Sequence, residues 1–411
     1  MSLGHSSAAK FGPFLVFSAG LLVLIGCGGS GGSNPGGGST PVDNTQALQV
    51  NLGPANNSTN EAFVAVTVCV PGSSSCQTIE NVEVDTGSEG LRVLSSQISL
   101  SLPAIADTSR NALEECVSFA DTSYVWGPVV SADVQMAGEK ATSVPIQIIS
   151  ASPKFPVPSN CISGAGAADV NTVAALGANG ILGLGVFQQD CGFACTSASP
   201  QVPDVYYLCP NSVCRVSTVP LGSQLQNPVW FFPQDNNGVV ISLPSVPADG
   251  VASVSGSLIF GIGTQSDNAL GSAQVYTTDN AGNFQTTYHG IAYSQSYIDS
   301  GSNGLYILDA STLGITDCSD FAGFYCPASP VDFTATNTGL NGVKADVSFS
   351  IANADALFAA NGGRNAAFDD LGGDNPQTVD WGLPFFYGRK VFVGIEGQLS
   401  PTGVTGPYWA Y

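Results

Sequence analysis

From Ala47 onward, apolar and polar side chains alternate with the period of two that a half-buried strand requires. The segments 48–52, 63–68, 82–84, 134–136 and 144–149 are rich in Val, Ile, Leu and Phe, and Gly, Pro, Asn and Ser punctuate the chain between them. Helical periodicity is scarce and short; 309–313 and 355–360 are the candidates. After a loop at 227–233, Asn236-Asn237-Gly238 carries a hairpin-turn signal and marks the start of the second half. The pattern predicts an all-β protein.

A motif recurs within that pattern. Asp85-Thr86-Gly87-Ser88-Glu89-Gly90-Leu91-Arg92-Val93-Leu94 returns half a chain later as Asp299-Ser300-Gly301-Ser302-Asn303-Gly304-Leu305-Tyr306-Ile307-Leu308. Each copy follows a β-branched stretch and leads into an apolar run, so each Asp is placed where a strand ends in a tight turn. A second element is also doubled: Gly180-Ile181-Leu182-Gly183-Leu184 follows the first motif, and Val379-Asp380-Trp381-Gly382-Leu383 follows the second. A strand ending in Gly can pass close beneath such a loop, because Gly has no Cβ to obstruct it. Two equivalent loops imply two lobes about a pseudo-twofold axis, which suits 411 residues better than one core.

The first residues have a different character. Lys10 precedes an apolar run at 14–25, too short for a comfortable membrane span and ordered like a secretory signal. Leu24-Ile25-Gly26-Cys27 resembles a bacterial lipobox, which implies that Cys27 takes lipid and heads the mature chain. Gly28 after it resembles the outer-membrane sorting pattern. The stretch that follows, rich in Gly, Ser and Pro, is a flexible tether. The expected division is a signal peptide at 1–26, a tether at 27–45, a first lobe at 46–235 and a second at 236–411.

Cysteine count fits export. Of 11 cysteines, Cys27 set aside leaves an even number for an oxidising compartment. Cys69 and Cys76 flank a turn, Cys318 and Cys326 bracket a short loop, Cys191, Cys195, Cys209 and Cys214 form a local group with three possible pairings, and Cys116 and Cys161 remain for each other. A zinc site is not expected, since that local group lacks histidine support. The formal charge of −21 excludes phosphate-driven nucleic-acid binding.

The paired loops, the two apolar-apolar-Gly strands, a flap-like hairpin after the first loop and Gly256-Ser257-Leu258-Ile259-Phe260-Gly261 together resemble a bilobal, pepsin-like aspartic peptidase over about 47–395. The nearest likeness is to a bacterial family of exported lipoproteins of undefined function. The resemblance implies two β-barrel-like lobes with a cleft between them, a dyad of Asp85 and Asp299, and supporting roles for Thr86, Gly87, Ser88, Ser300, Gly301 and Ser302. It also implies that Thr86 and Ser300 reach across the lobe interface to lock the loops. The sequence departs from that family at Arg92, where an aromatic side chain would support the flap. Phe119 best matches the flap tyrosine, with Tyr124 and Trp126 as alternatives.

Amide hydrolysis without metal or cofactor needs an activated water and a proton donor. Two carboxyls about 3 Å apart supply both, because their repulsion when both are ionised is about 5 kcal/mol at an effective dielectric near 20, so one proton is shared. A histidine-dependent triad would rest on His289 alone, which is read as an ordinary strand residue. Glu83, Glu89 and Asp121 are read as solvated, and Tyr408, Trp409 and Tyr411 as a docked terminal strand. Two functions are therefore expected to compete. One is an exported, lipid-anchored aspartic endopeptidase of the bacterial envelope, acting on peptide or protein substrates from the outer membrane. The other is a catalytically silent lipoprotein that binds a peptide, glycan or partner protein between its lobes.

Overall fold

The computed structural model describes residues 43–162, 167–198 and 201–411. The expected signal peptide, Cys27 and most of the expected tether lie outside these residues. Thr45, expected to close the tether, is the first residue of the strand Thr45–Val50.

Strands dominate, as the alternation predicts. A 15-stranded ladder contains every strand of the first half and five of the second, and a 7-stranded sheet holds the remainder. Thr45–Val50 joins the halves: it pairs antiparallel with Val254–Phe260 along six residues and touches Ala62–Cys69 at its end. Val254–Phe260 continues the ladder through Gly238–Leu243, Arg389–Gly394 and Tyr408–Ala410, so the chain's last strand is docked on a sheet shared with its first.

The duplication is visible in the pairing. In the first half Cys76–Asp85 runs parallel to Gly180–Leu184, which is antiparallel to Glu89–Leu94, which in turn runs parallel to Glu139–Ile149. In the second half Ile291–Ile298 runs parallel to Asn375–Trp381, which is antiparallel to Leu305–Leu308, which runs parallel to Gly372–Gly373. Register makes the correspondence residue-specific. Leu91 faces Leu182 as Leu305 faces Trp381, and Arg92 faces Ile181 as Tyr306 faces Asp380. Two all-β lobes related by a local twofold are thus built into the hydrogen bonding.

One continuous apolar core runs from Leu48 and Val50 through Val82, Val84, Leu91 and Leu182 to Ile298, Leu305, Trp381 and Val393. Its burial of branched side chains on both faces of central strands is the main stabilising term. The helices among the described residues are short, four to six residues long. Asp309 caps Ala310–Leu313 through Thr312 N, and Asn353 caps Ala354–Ala359 through Ala356 N, close to the two expected segments.

Five disulfides are present: Cys69–Cys76, Cys116–Cys161, Cys191–Cys195, Cys209–Cys214 and Cys318–Cys326. Local pairing resolves the group of four.

Three local expectations are corrected. No strand precedes Asn236-Asn237-Gly238; the short turn Pro228–Phe231 does, and the Asn237 side chain is engaged with the backbone of Ile262 rather than closing a hairpin. His289 lies not in a strand but at the hairpin turn before Gly290, both with positive φ, its ring stacked on Tyr288. Glu83 and Glu89 are buried rather than solvated. Glu89–Leu94 is buried at every position and Cys76–Asp85 over its last four, so both faces are covered there where the expectation assumed one wet face.

Candidate active site

Asp85 ends its strand, and the next residues turn back at once to begin Glu89–Leu94. The turn is held by the carboxyl itself: Gly87 N donates to Asp85 Oδ1 at 2.8 Å. The second loop repeats it, with Gly301 N donating to Asp299 Oδ1 at 2.8 Å. The outer oxygens receive hydroxyls, Ser88 Oγ donating to Asp85 Oδ2 and Ser302 Oγ standing 3.1 Å from Asp299 Oδ2.

Reciprocal bonds lock the loops together. Ser300 N donates to Thr86 Oγ1 at 2.9 Å, and Thr86 N to Ser300 Oγ at 3.1 Å. Each hydroxyl then passes its hydrogen to the strand leading into the opposite loop, Ser300 Oγ to Val84 O at 2.6 Å and Thr86 Oγ1 to Ile298 O at 3.3 Å. Four bonds obeying a twofold fix the two Asp residues relative to each other. A Cβ built on Gly87 would lie 2.5 Å from Asp299 Oδ2, and one on Gly301 would lie 2.7 Å from Asp85 Oδ1. Glycine is what permits this approach.

The two carboxyls meet. Asp85 is 2% exposed and Asp299 fully covered. The pKa of Asp299 is pushed well above the usual carboxylate range, first by burial, then by the charges of Asp85 and Asp380 and by the adjacent Asp85 side chain. Two buried carboxyls brought this close resist double ionisation, so the arrangement favours one proton held between them.

Further carboxyls surround the dyad. Asp380 is pushed up to about 8, chiefly by burial, with the charge of Asp85 adding to it and hydroxyls of Ser302 and Tyr297 opposing it. Glu89 is pushed to about 8 by burial, despite accepting a hydrogen bond from Phe187 N at 3.2 Å. Glu83 is likewise raised by burial and by the charges of Glu61 and Asp85.

Asp380 was missed as a site residue because it was read as part of an apolar strand. The signal was present: superposing Gly183 on Gly382 sets Asp380 where the first repeat has Ile181.

Arg92 is buried under the first loop. Its guanidinium lies 2.7 Å from Glu115 Oε1 and 3.3 Å from Asp190 Oδ2, and donates to Glu89 O at 2.9 Å. Tyr206 Oη donates to Asp190 at 2.6 Å and accepts from Leu225 N. Glu115 belongs to Leu113–Ser118, the first strand of the flap-like hairpin, so an ion pair now joins the catalytic-type loop to that hairpin where an aromatic contact was expected.

The three flap candidates are all buried. Phe119 packs with Phe63, Leu94 and Ile181, while Tyr124 and Trp126 pack around the Cys116–Cys161 bridge, Trp126 edge-on to Tyr207. At the turn itself, Asp121 lies near Tyr306 of the second lobe, whose phenol pKa is raised first by burial and then by the charges of Asp380 and Asp121. A cavity of about 480 Å³ is lined in part by Leu305, Trp381, Phe349, Asp370 and Arg389, and by neither dyad residue.

Among the described residues, no helix is long and apolar enough to cross a membrane.

Residues 40–411 match the family model described as "Protein of unknown function (DUF3443)". No curated protein matches the chain. Among solved structures, the chain is similar to the aspartic proteinase from Irpex lacteus, with 15% identity, a TM-score of 0.47, and coverage of 89% of this chain and 96% of that one.

Proposed function

The chain belongs to the DUF3443 family of proteins of unknown function, and from its site we propose that it is an aspartic endopeptidase hydrolysing peptide bonds with water activated by Asp85 and Asp299. The observation that carries this reading is the meeting of two buried carboxyls on loops locked by symmetric Thr86 and Ser300 bonds. One proton on the pair leaves one partner as a base toward water and the other as an acid toward the scissile carbonyl. The partners exchange these roles when the leaving nitrogen takes its proton. Ser88 stabilises the outer oxygen of Asp85, and Ser302 is placed to do so for Asp299.

The substrate class in this reading is peptide or protein, and the residues ahead of the described body support an envelope location. The lipobox-like Leu24-Ile25-Gly26-Cys27 supports export with a lipid on Cys27, and the Gly/Ser stretch after it would hold the body off the membrane.

The near-complete covering of Asp85 and Asp299 favours a second reading, a silent binding protein that uses the groove between the lobes. Binding of a peptide mimic carrying a hydroxyl in place of the scissile carbonyl separates the two. A transition-state mimic of this kind should bind the parent far more tightly than Asp85→Asn or Asp299→Asn, because its hydroxyl replaces the water between the carboxyls. Equal binding to parent and variants, or none at any pH, would remove the peptidase reading.

A further inference from the structure

Ser302 has one hydroxyl hydrogen and two carboxylate neighbours. Its Oγ lies 2.6 Å from Asp380 Oδ2 and 3.1 Å from Asp299 Oδ2, and all three side chains are buried. Both contacts can be hydrogen bonds only if one of the acids brings a hydrogen of its own. With both acids ionised, the hydroxyl would satisfy one and leave its oxygen facing the other as an acceptor against an acceptor. Asp299 also faces Asp85 across the paired loops. The first lobe has no such ambiguity: Ser88 has Asp85 alone, and Ile181 stands where Asp380 does.

We propose that Asp380 acts as a neutral carboxylic acid that donates to Ser302 Oγ and thereby commits the Ser302 hydrogen to the outer oxygen of Asp299. Asp380 is then a positioning residue, reaching the dyad through Ser302, and the relay exists in the second lobe only. The surroundings favour the neutral acid. Asp380 is buried between two strands, Asp85 and Asp299 add only negative charge, and no cation is among the groups acting on it, which outweighs the opposing hydroxyls of Ser302 and Tyr297. Burial accordingly holds its proton to about pH 8.

A regulatory consequence follows for the proposed peptidase, on which this part of the inference rests. When Asp380 ionises, the closer carboxylate captures the Ser302 hydrogen, and Asp299 loses its donor. Activity is then lost through a group that does not touch substrate.

The test uses the full mature chain in two arms. In the first, infrared difference titration of the parent against Asp380→Asn should show one protonated-carboxyl band fewer in the variant at neutral pH, a band the parent loses as pH passes about 8. Ser302→Ala keeps Asp380 but removes its acceptor, and should shift that band to higher frequency. In the second arm, Asp380→Ile should lower kcat at unchanged KM, by about tenfold for loss of one oriented donor. Asp380→Asn, whose amide still donates to Ser302, should recover most of that loss and abolish the alkaline decline that depends on Asp380. A parent spectrum without the extra band, or Asn and Ile variants with the same kcat and pH profile, would overturn the relay. If the parent cleaves no peptide, the peptidase reading fails while the infrared arm still decides whether Asp380 is the neutral donor.

Discussion

Glycine at 87 and 301 lets each carboxyl reach the opposite loop, and the cost of a single methyl group there is the sharpest residue-scale prediction. Gly87→Ala would push a Cβ into Asp299, and Gly301→Ala into Asp85. Peptide cleavage should fall by about 100-fold or more, as expected when reacting groups are displaced by about an ångström. The check is kcat/KM measured beside the melting temperature, and retained activity would show that the two carboxyls need not be this close. The paired motif made these glycines legible from sequence, because the same residues occur twice with the same flanks. Asp380 was not legible in the same way. Its strand pattern is apolar, and only its pairing against Tyr306 and the contact with Ser302 reveal what the carboxyl does.

At the scale of elements, the flap-like hairpin is tied to the first loop by Arg92. The sequence shows that an aromatic is replaced; it does not show the partners, since Glu115 and Asp190 come from distant parts of the chain and meet Arg92 only through the folding of three strands and a loop. Asp190 is raised well above the ordinary carboxylate range by burial and by Glu115, with Arg92 opposing. Arg92→Ala would leave both acids buried without their cation, at a cost of about 3–5 kcal/mol in unfolding free energy. Combining Arg92→Met with Glu115→Gln and Asp190→Asn should restore much of that stability, because no charge is then left buried. Denaturant unfolding of the single and triple variants decides it. A single variant as stable as the parent would mean that the network carries little.

For the whole molecule, the raised acids set the response to pH. Glu89 and Asp380 titrate near 8 in the folded chain, and Asp370 and Glu114 near 7, all chiefly because burial disfavours their charge. Over the window from about pH 4 to 8 the unfolded chain ionises these groups while the folded chain keeps their protons, so the folded state binds more protons and stability falls as pH rises. Asp309 has the opposite sign: its carboxyl is lowered to about 2 by hydrogen bonds from Ser311 and Thr312, and its contribution is lost as pH falls below about 4. Maximum stability is therefore expected near pH 4, measurable as the unfolding midpoint across buffers. A maximum at pH 8 would contradict the protonation states described above. The strand content and the twofold were legible because periodicity and repetition are local signals. The long ladder joining Thr45–Val50 to Val254–Phe260 was not, since strand partners far apart in sequence leave no local mark. Attachment is tested separately: Cys27→Ser should move the protein from the membrane fraction to the soluble one, with the body still folded.

Most direct of all is cleavage of a mixed peptide library by the purified mature chain from acidic to neutral pH, beside Asp85→Asn, Asp299→Asn and the double variant. The parent should cut peptide bonds with an optimum on the acidic side. Each single variant should lose nearly all cleavage, and the double variant little more, because the carboxyls act as one unit. Near-parent cleavage by either single variant, or a parent that cuts nothing the variants do not, would contradict the claim that Asp85 and Asp299 form a working dyad.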